Sequence, residues 1–162
     1  MARSPLQDEV KKRNPFDAPE QEVSLNLVKT TEFLQAEFAR LFKQHHISGA
    51  QYNVLRILRG AGTDLPCLEV ASRMVSHLPD ITRLVDRLEA SGLVERCRTE
   101  EDRRLVLIRI TKQGEAILAE LDAPVLELHK KQLGHLTAEE LAEFNRLLVK
   151  ARRPGSGDVT AK

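Results

Sequence analysis

Tryptophan is absent from this chain of 162 residues, aromatic side chains make up only 4%, and cysteine occurs twice. With Ala, Leu, Glu, Lys and Arg recurring throughout, the aromatic scarcity favours helices over a β-sandwich. Cys67 and Cys97 stand far apart, fit no zinc spacing and are too few to staple a secreted scaffold. A reducing cytosol is the expected setting. No apolar run reaches the roughly 18 residues of a membrane span, and residues 1–16 lack the apolar stretch of a signal peptide. The expectation is a soluble, cytoplasmic protein with no membrane partner. Neither sign of charge dominates, since 25 Lys and Arg meet 24 Asp and Glu for a formal net charge of +1. Any binding of nucleic acid must then come from where the charges sit. There is also no glycine-rich phosphate loop, HExxH pair, nucleophile elbow or close carboxylate pair, so neither catalysis nor a cofactor is expected.

What is present suffices for one core of ordinary size, with 41% hydrophobic residues. Residues 1–18 are polar and broken by Pro5, Pro15 and Pro19, and residues 153–162 mix Pro, Gly and Ser, so both read as flexible tails around one structural domain at 19–152. Val23, Leu27, Leu34, Phe38, Leu41 and Phe42 recur at helical spacing over 20–44, with Asp17 as the cap, which gives a long first helix within a segment at 19–47. Ser48 and Gln51 form a capping-box pattern ahead of Tyr52, Leu55 and Leu58, until Gly60 and Gly62 end the second helix.

Leu68, Ala71 and Met74 predict a third helix of two turns. Ile81, Leu84, Val85 and Leu88 predict a fourth, stopped by Gly92. The period then changes to two: 93–98 and 103–110 read as strands of a β-hairpin around a charged turn. Two apolar helices follow over 112–152, the first carrying Ile117, Leu118 and Leu121, the second opening with a Thr137 and Glu140 capping box.

Two short helices joined by a tight turn and followed at once by a hairpin form the order of a winged helix-turn-helix, here at 48–111. The fold class is mainly α (α+β). Charge placement points the same way. Arg83, Arg87, Arg96, Arg98, Arg103, Arg104 and Arg109 crowd the fourth helix and the hairpin, and guanidinium groups pair with phosphate and guanine edges in bidentate fashion. Asp80, Asp86, Glu95, Glu100, Glu101 and Asp102 are interleaved, which leaves an ion-paired surface as the alternative for each arginine. His45 and His46 are neighbours that a helix would point about 100° apart, so no metal site is expected. The apolar stripes of the terminal helices exceed what a small winged core covers, which points to self-association.

The run DITRLVDRLEASGLVERCRTEEDRRLVLIRITKQGEAIL from Asp80, with ISGAQYNVLRIL upstream, resembles the MarR (multiple antibiotic resistance regulator) family over about residues 20–150. The resemblance implies a homodimer built by long N- and C-terminal helices, two winged domains on a pseudo-palindromic operator in double-stranded DNA, and release by a small ligand. Matching recognition-helix positions are Asp80, Thr82, Arg83 and Arg87, preceded by Ser76 and His77. Asp102 and Arg104 match the wing's Asp-x-Arg pattern, with Arg103 beside phosphate. Pro79 and Asp80 depart from the small hydroxyl residues of the family at that point, and Asp80 either accepts from a cytosine amino group or favours the helix N-terminus. Tyr52, the sole tyrosine, is the ligand-contact candidate on a helix that lines the family's cleft, against the alternative of a packed core ring. Two rival readings are a winged-helix module for protein interaction and a thiol-sensing regulator using Cys97 or Cys67.

Overall fold

The structure is a computed structural model of the chain, and it describes residues 3–76, 80–98 and 106–153. Regular structure begins earlier than expected. Within the segment read as a flexible tail, the Ser4 hydroxyl accepts from the Gln7 N–H and Pro5 opens a short helix α1 (Pro5–Glu9). A serine cap followed by proline at the first helical position is a strong start signal. Leu6 is only 3% exposed, and Glu9 pairs with Lys29 at 3.2 Å. Lys29 belongs to α2 (Pro19–Gln44), whose N-cap is Ala18 without any side-chain cap. Asp17 therefore does not cap this helix. Pro19 at the first turn gives up an N–H that would lack a partner there, and the Asp17 N–H donates instead to Gln21 Oε1 at 3.1 Å.

Helix α3 (Gly49–Ala61) begins with both bonds of the Ser48–Gln51 capping box and ends at Gly62, whose φ of 64° is the left-handed geometry glycine adopts without steric cost. A two-residue strand β1 (Leu65–Pro66) follows, which the sequence pattern did not reveal. Helix α4 (Cys67–Ser72), helix α5 (Ile81–Ala90) and strands β2 (Val94–Arg98) and β3 (Val106–Ile110) complete the winged region. The three strands form one antiparallel sheet in the order β1-β3-β2, with Leu65 opposite Ile108 and Arg96 opposite Ile108 from the other side. Pairing to a long central strand turns a dipeptide into a strand, and two residues carry no period that a sequence pattern can register.

Val54, Leu55 and Leu58 of α3, Val70 of α4, Leu84, Val85 and Leu88 of α5 and Ile108 of β3 are buried together with Leu118 and Leu121 of α6 (Lys112–Leu133). The fold is mainly α with a small sheet, as expected. The chain divides into two compact units, Met1–Pro124 and Val125–Lys162. The second contains the last part of α6 and α7 (Ala138–Ala151), which opens with both bonds of the Thr137–Glu140 capping box. No helix among the described residues is long and apolar enough to cross a membrane.

One junction sets how the hairpin meets the helices. Gly92 ends α5 at a φ of 71°, and its carbonyl accepts from the Thr111 hydroxyl at 2.7 Å. The same hydroxyl accepts from the Gly114 N–H at 3.2 Å, so Thr111 caps α6 while holding the hairpin's root. A Cβ on Gly114 would stand 2.4 Å from the Leu93 carbonyl oxygen and 2.8 Å from Ile110 Cγ1. This gives the ITKQG motif its physical meaning: Thr111 joins the two ends and Gly114 lets them touch. Replacing Gly114 with Ala should destabilise the protein by about 1–3 kcal/mol, because backbone has to move. Gly60→Ala, with nothing within 4 Å of the new methyl, should instead stabilise by about 0.5 kcal/mol. Denaturant unfolding of the two variants checks both signs.

Candidate nucleic-acid interface

Helix α5 buries Leu84, Val85 and Leu88 and turns Thr82, Arg83, Asp86 and Arg87 to solvent. Helical periodicity does this without help, since the apolar stripe has to face α3 and α4. At the start of the helix, Asp80 Oδ1 accepts from the Arg83 backbone N–H at 3.0 Å, so Asp80 is the N-cap. Its other oxygen, Oδ2, lies 3.0 Å from Arg83 Nε in an ion pair, while the Arg83 side chain stays 81% exposed. Arg87 Nε donates to the Arg83 carbonyl at 3.3 Å, which lays that guanidinium along the helix. Ser76 is exposed ahead of α5. His77 and Pro79, and Asp102, Arg103 and Arg104 of the wing, lie outside the described residues.

The arginines counted together in the sequence separate into two groups. Arg96 on β2 reaches back to α5: its Nη2 lies 2.6 Å from Asp86 Oδ1, its Nη1 pairs with Glu89, and its backbone N–H donates to Glu89 Oε1 at 3.1 Å. Asp86, then Glu89, hold its pKa above the usual arginine value. Arg109 on β3 is bidentate on Asp64, with Nε–Oδ1 at 2.9 Å and Nη2–Oδ2 at 2.6 Å, and it faces Glu95 across the strands. Arg96 is thus a strut between β2 and α5, and Arg109 a strut between β3, β2 and the turn before β1. Arg98 is exposed at the end of β2.

Sequence reading missed Asp64 and Glu89 as partners. The signal for Glu89 was its place three residues after Asp86, on the same face of α5. Nothing local pointed from Asp64 to Arg109, 45 positions away.

Cys97 sits half-buried beside the second strut, its thiol donating to Asp64 Oδ2 at 3.3 Å. Burial first, then Asp64, pushes its pKa up. Only the thiolate reacts readily with oxidants, so this environment suppresses the reactivity a thiol sensor needs.

Tyr52 is 8% exposed and stacked on Phe42 with ring centroids 4.4 Å apart. Burial raises its pKa, against the opposing charge of Arg56, whose guanidinium lies 5.9 Å from the ring centre. It is a packed core ring with a polar edge. His45 pairs with Glu120 at 3.3 Å, and no group of three or more His, Cys, Asp or Glu among the described residues is arranged to hold a metal ion.

The arrangement of short helices and small sheet has counterparts in known proteins. The MarR family pattern matches residues 47–106. The multiple antibiotic resistance protein MarR of Salmonella typhimurium is 35% identical over 105 residues, which cover 64% of this chain and 72% of that protein. The chain belongs to the MarR family. A crystal structure of a MarR transcription factor from Planctomyces limnophilus shares 42% identity, with a TM-score of 0.63 over 83% of this chain and 98% of the other. A mutant MarR from Escherichia coli, solved in complex with operator DNA, shares 27% identity at a TM-score of 0.68 over 85% and 100% of the two chains. This MarR-family protein is thus a transcription regulator and not an enzyme.

The struts make the joint sensitive to acid. Hydrogen bonds from Arg109 hold Asp64 below its ordinary pKa of 3.8, with the Cys97 contact adding to the effect. A carboxylate whose folded pKa is depressed contributes stability above its unfolded value and loses it as pH falls through the folded one. Asp64→Asn should therefore be less stable than the parent at neutral pH. The difference should shrink as pH falls below about 4. Thermal unfolding across that range checks this, and a constant gap would mean the ion pair is not the cause.

Proposed function

We propose that this MarR-family protein is a cytoplasmic repressor that binds a pseudo-palindromic promoter operator as a homodimer and is released by a small aromatic or phenolic ligand. The observation that carries the reading is the outer face of α5, where Arg83 stands 81% exposed on a helix tied to the wing by Arg96. A helix held this way can enter the major groove and keep the wing at a constant offset from it, so that both contact one site. Thr82, Arg83 and Arg87 face the bases and nearby phosphates, with Ser76 and His77 at the approach to the helix. Asp102, Arg103 and Arg104 carry the wing's contact with the minor groove. The E. coli relative bound to operator DNA supports this reading.

The dimer draws support from two helices separately. In α2 only Phe42 is buried, while Val23, Val28 and Phe33 are exposed; in α7 no residue is buried although Leu141, Phe144, Leu147 and Leu148 follow a helical stripe. Apolar area of this kind is commonly covered by a second subunit. The ligand's site is the polar edge of the Tyr52 and Arg56 pair, since the Tyr52 ring face is already occupied by Phe42. Release needs only that the ligand prefer the non-binding arrangement of the two recognition helices. Thiol sensing through Cys97 fits poorly with its half-buried thiol donating to Asp64 and its raised pKa.

Fragments selected from genomic DNA supply the operator for a titration at constant moderate salt. Arg83→Ala and Arg104→Ala should each weaken binding by about tenfold or more while the dimer persists in sedimentation. Affinity of the parent should fall steeply with added salt, because phosphate contacts release counterions. A flat salt response with unaltered affinity in both variants would favour a protein-interaction module instead.

A further inference from the structure

Three carboxylates, Asp80, Asp86 and Glu89, lie along α5 and its N-cap, an odd feature for a surface that approaches phosphate. Asp86 and Glu89 are accounted for by Arg96. Asp80 is not explained by capping alone. Asn and Ser satisfy a helix N-terminal N–H about as well as Asp does, and neither repels DNA. Beyond its favourable charge at a helix N-terminus, a carboxylate here sets a second, charged oxygen beside the guanidinium of Arg83 while capping the same residue's backbone: Oδ1 takes the Arg83 N–H at 3.0 Å, and Oδ2 lies 3.0 Å from Nε. Both contacts are local, made across one turn.

The consequence lies in which edge of the guanidinium is engaged. The carboxylate meets the Nε side, and the rest of the side chain remains exposed. That leaves the two terminal nitrogens, which can donate in parallel to O6 and N7 of a guanine. A long, unrestrained arginine at the same position would also reach neighbouring phosphates, gaining affinity for any sequence. The charge of Asp80 opposes that second use, since moving the guanidinium to phosphate leaves the capping carboxylate without its partner beside a negatively charged backbone.

We propose that Asp80 is a positioning residue that sets sequence selectivity, by holding Arg83 on its Nε side for end-on reading of a guanine and by penalising phosphate contacts. This rests on the operator-binding reading above.

The test compares the full-length parent, Asp80→Asn, Arg83→Ala and the double variant. Each is selected against a random duplex library and titrated with selected and unselected duplexes of one length. Asp80→Asn keeps a good cap, so its unfolding temperature should stay near the parent's. Its affinity for unselected duplex should rise, and its preference at one base pair in each half-site should fall by about tenfold, the scale of one bidentate base contact. The lost position should be the one Arg83→Ala loses, and the double variant should lose nothing more there. Asp80→Ser, a second uncharged cap, repeats the comparison if Asn perturbs folding.

Undiminished preference in Asp80→Asn overturns the proposal, as does an even loss at every position that follows a lowered unfolding temperature. A parent that selects no sequence sinks the operator-binding reading and this proposal with it. A selective parent whose Asp80→Asn variant stays equally selective sinks this proposal alone.

Discussion

The winged region depends on a close approach of backbone to backbone at Gly114. The first turn of α6 lies so near the Leu93 carbonyl that no side chain fits between them, and the Thr111 hydroxyl bridges the end of α5 to the start of α6. This contact brings the chain back to the end of α5 after the hairpin. It therefore sets the root of the wing relative to α5, and the wing's reach follows from its root. The buried Leu55, Leu88, Ile108 and Leu118 supply the apolar driving force around it, but a force without direction would not select this arrangement.

Direction comes from the ion pairs. Arg96 runs from β2 to two carboxylates of α5, and Arg109 runs from β3 to Asp64 before β1. Surface ion pairs contribute little individually to stability, yet Arg96, shared between Asp86 and Glu89, restricts how far the sheet can slide over α5, and bidentate Arg109 ties β3 to the turn before β1. The same pairs neutralise Asp86, Glu89 and Asp64. A chain of nearly balanced charge can in this way present Arg83 and Arg87 as an unevenly positive edge without excess charge elsewhere.

The helical part of the fold was legible because its signals are short-ranged. Capping boxes at Ser48 and Thr137, the glycines at 62 and 92 and the stripe of Leu84, Val85 and Leu88 each act within one or two turns, and each appears as expected. Departures came where the outcome depended on distant chain. Strand β1 exists through its pairing with β3, and α1 through a start signal and a buried Leu6 within a segment whose composition suggested disorder. Tyr52 was readable as either ligand contact or core ring, and the structure stacks its ring face on Phe42, which leaves only its polar edge for any ligand.

For the arginine-rich stretch, the sequence by itself determined which residues share the outer face of α5, because a helix assigns faces by period alone. It also determined that Asp80 stands where a cap is needed, three residues ahead of Arg83. Only the tertiary structure decided which guanidinium groups are tied to carboxylates on other elements. Arg96 and Arg109 look like Arg83 in a sequence, and they differ because strand pairing brings Glu89, Asp86 and Asp64 within reach of two of them. Charge is written in the residues, but its neutralisation is a distance, and distance between residues 45 apart exists only after folding.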